Sequence, residues 1–266
     1  MTPSLLVAAR EGFKPPGIDE FEWPNLIDLK LFGLDLGINR VVLQMFLVTG
    51  LVILLLWLGF RRASLVPRGL QNVMESAVDF VRDQIALEVI GRDGLRYVPY
   101  LTTLFLFVFL ANLGGIVPLL SFPATGRMAL PAVMALTSTV LFIGVGMKRQ
   151  GGLRYLRNSL FPPDVPVLLY VLLTPIELVS TFLIRPMTLA VRLLANMIAG
   201  HLILGVFFAA TAYLLGSLNA SMLFGVGALV FAVALVAFEL FVAALQAYVF
   251  TILSAIYIAG ALEPEH

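Results

Sequence analysis

The sequence contains no cysteine, which excludes disulfides, thiolate metal sites and cysteine nucleophiles together. It has two histidines, His201 and His266, too few for a histidine-built metal centre. Charge is scarce too. Lys, Arg, Asp and Glu make up 12% of the 266 residues and leave a net charge of +1, where a soluble domain carries about 25% charged residues. So small a positive excess is no footprint for nucleic acid, and no cofactor is expected. The first 38 residues hold Arg10, Glu11, Lys14, Asp19, Glu20 and Glu22 without a long apolar core, so they do not read as a signal peptide. What fills the space left by charge is oil. Hydrophobic residues form 60% of the chain, and the expectation is a polytopic membrane protein whose main surroundings are the lipid bilayer.

The uncharged stretch "VVLQMFLVTGLVILLLWLGF", residues 41–60, is long enough to cross a hydrocarbon core of roughly 30 Å. In "GLQNVMESAVDFVRDQIALEVI", which follows at 69–90, Glu75, Asp79, Arg82 and Asp83 share one helical stripe. Leu70, Val73, Met74, Ala77, Val78, Val81 and Ile85 share the other, the pattern of a helix lying on the membrane surface or packed along it, not one crossing it. Residues 97–126 and 128–147 carry no charge, and "PATGR" at 123–127 supplies the Pro and Gly of a tight turn between them. They are read as a transmembrane hairpin, 97–147.

Two basic loops fix the orientation. Arg61, Arg62 and Arg68 follow the first span, and "KRQGGLRYLR", 148–157, follows the hairpin with four positive residues and no negative one. Both fall on the cytoplasmic side if 41–60 runs inward and the hairpin goes out and back. The segment before residue 40, with three Lys/Arg against six Asp/Glu, then lies outside.

From Val165 to Leu262 the only acidic, basic or histidine side chains are Glu177, Arg185, Arg192, His201 and Glu239. The one plausible break after Pro186 is "GSLNAS", 216–221. A helix from there to Leu262 would be roughly 60 Å long, twice the hydrocarbon thickness, so it must tilt or bend. The expected fold is all-α, with about five membrane-embedded helices plus one surface amphipathic helix at 69–92. The last two helices, 166–215 and 221–262, form a long, strongly tilted hairpin. The division is an N-terminal extramembrane segment, 1–39, and a single membrane domain, 40–266.

An arginine at bilayer depth is costly unless it faces a cavity or a partner, and a guanidinium cannot deprotonate to escape. Arg185, beside Pro186 and nearer the cytoplasmic side, is open to a snorkelling reading. Arg192, with apolar residues on both sides, is less so, although a structural ion pair is the bland alternative. Thr188, Arg192, Ala195, Asn196 and Ala199 share a helical face of small residues that another helix can approach closely. His201 lies about half a turn away in angle and roughly 13 Å along the axis. In the last helix Glu239, Ala243 and Gln246 share a stripe. If Gln246 is level with Arg192, Glu239 comes near the depth of His201, and such a pair can exchange protons near neutral pH. A static buried pair is the alternative. Glu177 falls on the opposite, cytoplasmic side of Arg192.

These residues resemble the subunit a family of the F-type ATP synthase. "RLLANMIAGH" at 192–201 is similar to the family's most diagnostic segment, and "FELFVAALQAYVFTILSAIYIAGALEPEH" to its C-terminal helix. "FLANLGGIVP" at 109–118 resembles its earlier Asn-containing hairpin helix. The resemblance implies that Arg192 faces the carboxylates of a rotating c-ring, with Asn196 and Gln246 as its polar neighbours. It implies that His201 and Glu239 line a half-channel open to the outside, and that Glu177 is the acid of the cytoplasmic half-channel. Asn112 matches the hairpin asparagine. Two departures stand out. Three residues after Asn112 the family often has an acid, and here stands Gly115. The family's spacing would also put Glu177 one residue nearer Arg192.

The implied function is proton translocation between two offset half-channels, coupled to ATP synthesis or hydrolysis, with no bond chemistry in this chain. The implied partners are the c-ring and b-type peripheral stalk subunits. The implied location is a bacterial plasma membrane, with the mitochondrial inner membrane as the alternative. The His/Glu pair favours H⁺ over Na⁺. A stand-alone secondary transporter is the competing class, but such folds show paired repeats, and no internal repeat is visible here. A purely structural scaffold would not need titratable groups on both sides of an arginine.

Overall fold

A computed structural model describes residues 30–31, 34–35, 40–62, 64–116, 124–161, 167–216 and 221–262. Apart from a two-residue antiparallel pairing of β1 (Lys30–Leu31) with β2 (Leu34–Asp35), every regular element among them is helical. The apolar run after Arg40 forms α1, Arg40–Phe60. The amphipathic stretch forms α2, Leu70–Val81, which passes into a π-helix, Arg82–Ile90. A 3-10 segment, Arg92–Tyr97, leads into α3, Val98–Ile116. The expected turn at 123–127 contains a 3-10 turn, Ala124–Gly126, with Pro123 outside the described residues, and α4, Ala129–Gln150, returns. After the short α5, Gly152–Leu160, come α6, Val167–Val179, a π-helix, Ser180–Ile184, and α7, Arg185–Gly216. The last element is α8, Ser221–Leu262.

Five helical stretches among the described residues are long and apolar enough to cross a membrane. The longest are Leu169–Gly216, 48 residues, and Met222–Leu262, 41 residues. Within their most apolar windows only 17% and 11% of residues are buried inside the chain. Their remaining apolar surface must therefore be covered by lipid or by other chains.

The residues group into two compact units. The second unit takes in Phe46–Leu110, Met128–Leu193 and Gln246–His266. Its core joins Val81, Ile85 and Ala86 to Val98 and Leu101 of α3, Phe142 of α4, Tyr155 of α5, and Ala255, Ile258 and Ala261 of α8. The apolar stripe read at 69–90 thus packs along the hairpin and the end of the last helix. The register of that stripe changes where α2 becomes a π-helix, which 3.6-residue periodicity does not reveal. On the opposite stripe Arg82 bridges Asp79 and Asp83 at 2.9 and 2.7 Å. Its hydrogen bond holds the exposed Asp83 carboxyl below the usual range. Close approach comes from small residues. A side chain at Gly146 would run into the Tyr155 ring, so α5 folds back directly on α4. Hydroxyls stitch the interior together, with Tyr100 Oη of α3 2.9 Å from Ser138 Oγ of α4 and Ser254 Oγ of α8 3.4 Å from the same Ser138 Oγ. Such contacts are the usual glue between membrane helices.

The first unit comprises residues up to Met45, Ala111–Arg127 and Leu194–Leu245. Here α7 and α8 pack antiparallel. Leu215 meets Gly225, Phe207 stacks on Phe231 at 5.8 Å, and Gly200 meets Glu239. One residue number rises as the other falls, which is the hairpin expected of the two long helices.

Candidate functional site

The first unit contains a cavity of about 140 Å³ between α7 and α8. Asn196 and Glu239 are its polar side chains, and Leu204, Leu235 and Phe238 are among the apolar ones. Glu239 reaches it because residue 200 is glycine. A methyl group there would overlap Glu239 Oε1, so the carboxylate occupies the space that a side chain at residue 200 would fill. Its Oε2 is buried and makes no hydrogen bond. Within the described residues that oxygen has no donor, so its partner must come from the cavity it lines or from another chain. His201, next in the chain, is half-buried and has an interaction of its own. The Glu239 carboxylate meets α7 at Gly200, the residue before His201, so the two expected partners lie at the same level of the helix pair.

Asn112 is 3% exposed and accepts a hydrogen bond from Thr125 at 3.2 Å, while its Nδ2 finds no partner. The same unit contains a residue that sequence reasoning passed over. Gln44, in a stretch read simply as an uncharged span, is 5% exposed, and both of its amide atoms are buried without a partner. It packs where a side chain on Gly114 would stand. Its signal was visible, because an amide among nineteen other residues of which only a threonine is also polar is expensive in a membrane.

In the second unit Arg192 is exposed, and no ion pair engages it among the described residues. Gln246 is buried, and its Nε2 has no partner. Arg185 lies over the Tyr257 ring, 5.4 Å from its centroid. Counting up both antiparallel helices from that contact puts Arg192 and Gln246 within about one turn of each other in depth. Glu177 lines a second cavity, of about 170 Å³, with Gln150, Asn158, Thr181, Arg185 and Tyr257. Gln150 is held at its rim, donating to the Ala261 carbonyl and accepting from Asn158, both at 3.0 Å.

The sequence profile of the family described as ATP synthase A chain matches residues 42–259. The chain belongs to that family. It is 46% identical over 257 residues to ATP synthase subunit a of Frankia alni, covering 96% of this chain and 88% of the relative. Against subunit a of Parafrankia sp. identity is 44% over 260 residues, covering 97% and 88%. Against that of Rhodococcus erythropolis it is 41% over 269 residues, covering 99% and 96%. Membership and the polytopic helical fold make this a proton-translocating stator subunit of an F-type ATP synthase, with no catalysis of its own. The relatives are bacterial, which places the chain in a bacterial plasma membrane and not an organelle. The secondary-transporter alternative falls with the same result.

Between Glu177 and Arg192 stands the π-helix Ser180–Ile184. An i→i+5 turn holds one residue more than an α turn, so Glu177 keeps the angle to Arg192 that one residue fewer would give it in an unbroken α-helix. Deleting the exposed Leu183 should convert this segment to plain α-helix and leave ATP-driven acidification of inverted membrane vesicles above about half of wild type. Deleting the buried Met197, where α7 is regular, should abolish it, since a one-residue slip turns the rest of the helix by about 100°. Equal loss in both, with normal assembly, would refute this role of the π-helix.

Proposed function

We propose that Arg192 is the fixed charge of this stator and faces the carboxylates of a c-ring. The observation that carries the reading is the surface around it. Thr188, Arg192, Ala195 and Ala199 are all exposed on one uninterrupted helix, and the arginine has no counter-ion among the described residues. A guanidinium left so at membrane depth calls for a carboxylate from another chain. Gln246 and Asn196 are its polar neighbours. Glu239, His201 and Asn112 belong to the half-channel from the outside, and Glu177 to the half-channel toward the cytoplasm. The b-type stalk subunits hold the chain against rotation.

Electrostatics then supplies the mechanism. The positive charge favours the ionised form of a ring carboxylate, so a carboxylate passing Arg192 gives up its proton. An ionised carboxylate cannot continue into lipid, and it must first be reprotonated from the other half-channel. Protons therefore cross only as the ring turns, each bringing about 2.3 kcal/mol per 100 mV. The test is reconstitution in liposomes of the chain alone and of the chain with c-ring, stalk and peripheral ATPase. Only the complete assembly should pump on ATP, and proton flux through the isolated chain at a comparable rate would overturn the reading.

A further inference from the structure

The cavity beside Glu177 holds a charge that the proposed path does not use. Arg185 stacks on Tyr257 and lines the same cavity as Glu177 and Thr181. An aromatic face fixes a guanidinium while leaving its N–H edges available to water. No ion pair joins Arg185 to Glu177 among the described residues, and a cavity of about 170 Å³ has room for several waters. The other titratable groups on its walls are Tyr155 of α5 and Tyr257 of α8. Burial pushes the Tyr155 phenol up, with the Arg185 charge acting the other way. Gln150 of α4 is neutral, and the nearby Lys148, Arg149, Arg154 and Arg157 are exposed. Arg185 is thus the cation that faces the carboxylate from inside the cavity.

We propose that Arg185 is a positioning residue of the cytoplasmic proton path, a fixed positive charge that depletes protons from the water around Glu177. The inference rests on the reading of Glu177 given above. A charge on the wall of a narrow, low-dielectric cleft sets the local ion concentration more strongly than it would on an open surface. Protons leave such a cavity readily and enter it only from a more acidic bulk.

The test uses the assembled ATP synthase in inverted vesicles, where the bath meets the cytoplasmic face and the lumen is loaded at a chosen pH. With Arg185→Gln the bath pH for half-maximal ATP-driven pumping should rise by about half a unit to one unit, the low end of what a neighbouring charge does to a carboxylate. The dependence on lumenal pH should not move. Arg185→Lys, which keeps the charge, should restore the wild-type profile. Tyr257→Leu, which frees the guanidinium without deleting it, should shift the profile in the same direction by less, and it decides the matter where Arg185→Gln does not assemble. An unmoved profile, or equal movement on both sides, would overturn the proposal. So would a Lys variant that behaves like Gln. Glu177→Gln separates the two readings. If it pumps normally, the role of Glu177 fails and this inference fails with it. If it abolishes pumping while Arg185→Gln leaves the profile unmoved, only the inference fails.

Discussion

Replacing Arg192 by alanine should abolish ATP-driven proton pumping, by about 100-fold or more, while the complex still assembles. The assembly half of this expectation follows from the structure. Arg192 is exposed and pairs with nothing among the described residues of its own chain, so removing it leaves no buried partner stranded. The functional half follows from charge. Without a permanent cation nothing favours ionisation of the passing carboxylate, and a factor of 100 corresponds to only about 2.7 kcal/mol, a modest share of what a bare charge costs inside a membrane. The same variant should leak, because the positive charge also bars a direct proton path between the half-channels. Arg192→Lys should not rescue, since an ammonium can deprotonate in an apolar setting and lacks the planar fork. The measurements are fluorescence quenching for pumping, passive proton conductance for leak and subunit composition for assembly. Pumping within about threefold of wild type would remove Arg192 from the centre of the mechanism.

The second large effect is expected at a residue with no chemistry of its own. Gly200→Ala should lower pumping by about tenfold, the rate consequence of about 1.4 kcal/mol. The added methyl overlaps Glu239 Oε1, and the carboxylate must leave its place against α7. Glu239→Asp shortens the side chain by one methylene and should be impaired in its own right. Combined with Gly200→Ala it should pump better than Gly200→Ala alone, because the shorter acid clears the methyl. This non-additivity is the signature of direct contact. If the two losses simply add, Gly200 does not act through Glu239.

Much of this was legible in the sequence, and the unread part has a physical pattern. Long uncharged stretches, the Pro/Gly turn and the basic loops report the spans, because the bilayer penalises charge so heavily. Arg192, Glu177 and Glu239 announce themselves for the same reason. What stayed hidden depends on geometry that residue types do not encode. The π-helices at Arg82–Ile90 and Ser180–Ile184 change the angular step without a change in composition, so face assignments made at 3.6 residues per turn drift beyond them. The contact of Glu239 with Gly200 turns on the space a missing side chain leaves. Gln44 was hidden by the opposite error, since a run scored by its apolar majority conceals the one amide it buries. The place of Arg185 over Tyr257 joins residues on different helices, and neither local pattern points to the other.

The two longest helices have a consequence for the life of the polypeptide. In their most apolar windows only a small share of residues is buried within the chain, and exposed small residues flank an arginine that has no ion pair among the described residues. A subunit so made is an orphan until its neighbours arrive, and its folded lifetime belongs to the assembly and not to the chain. Synthesis ahead of its partners would hand membrane proteases an exposed substrate, so the cell gains by making this subunit and its neighbours in step.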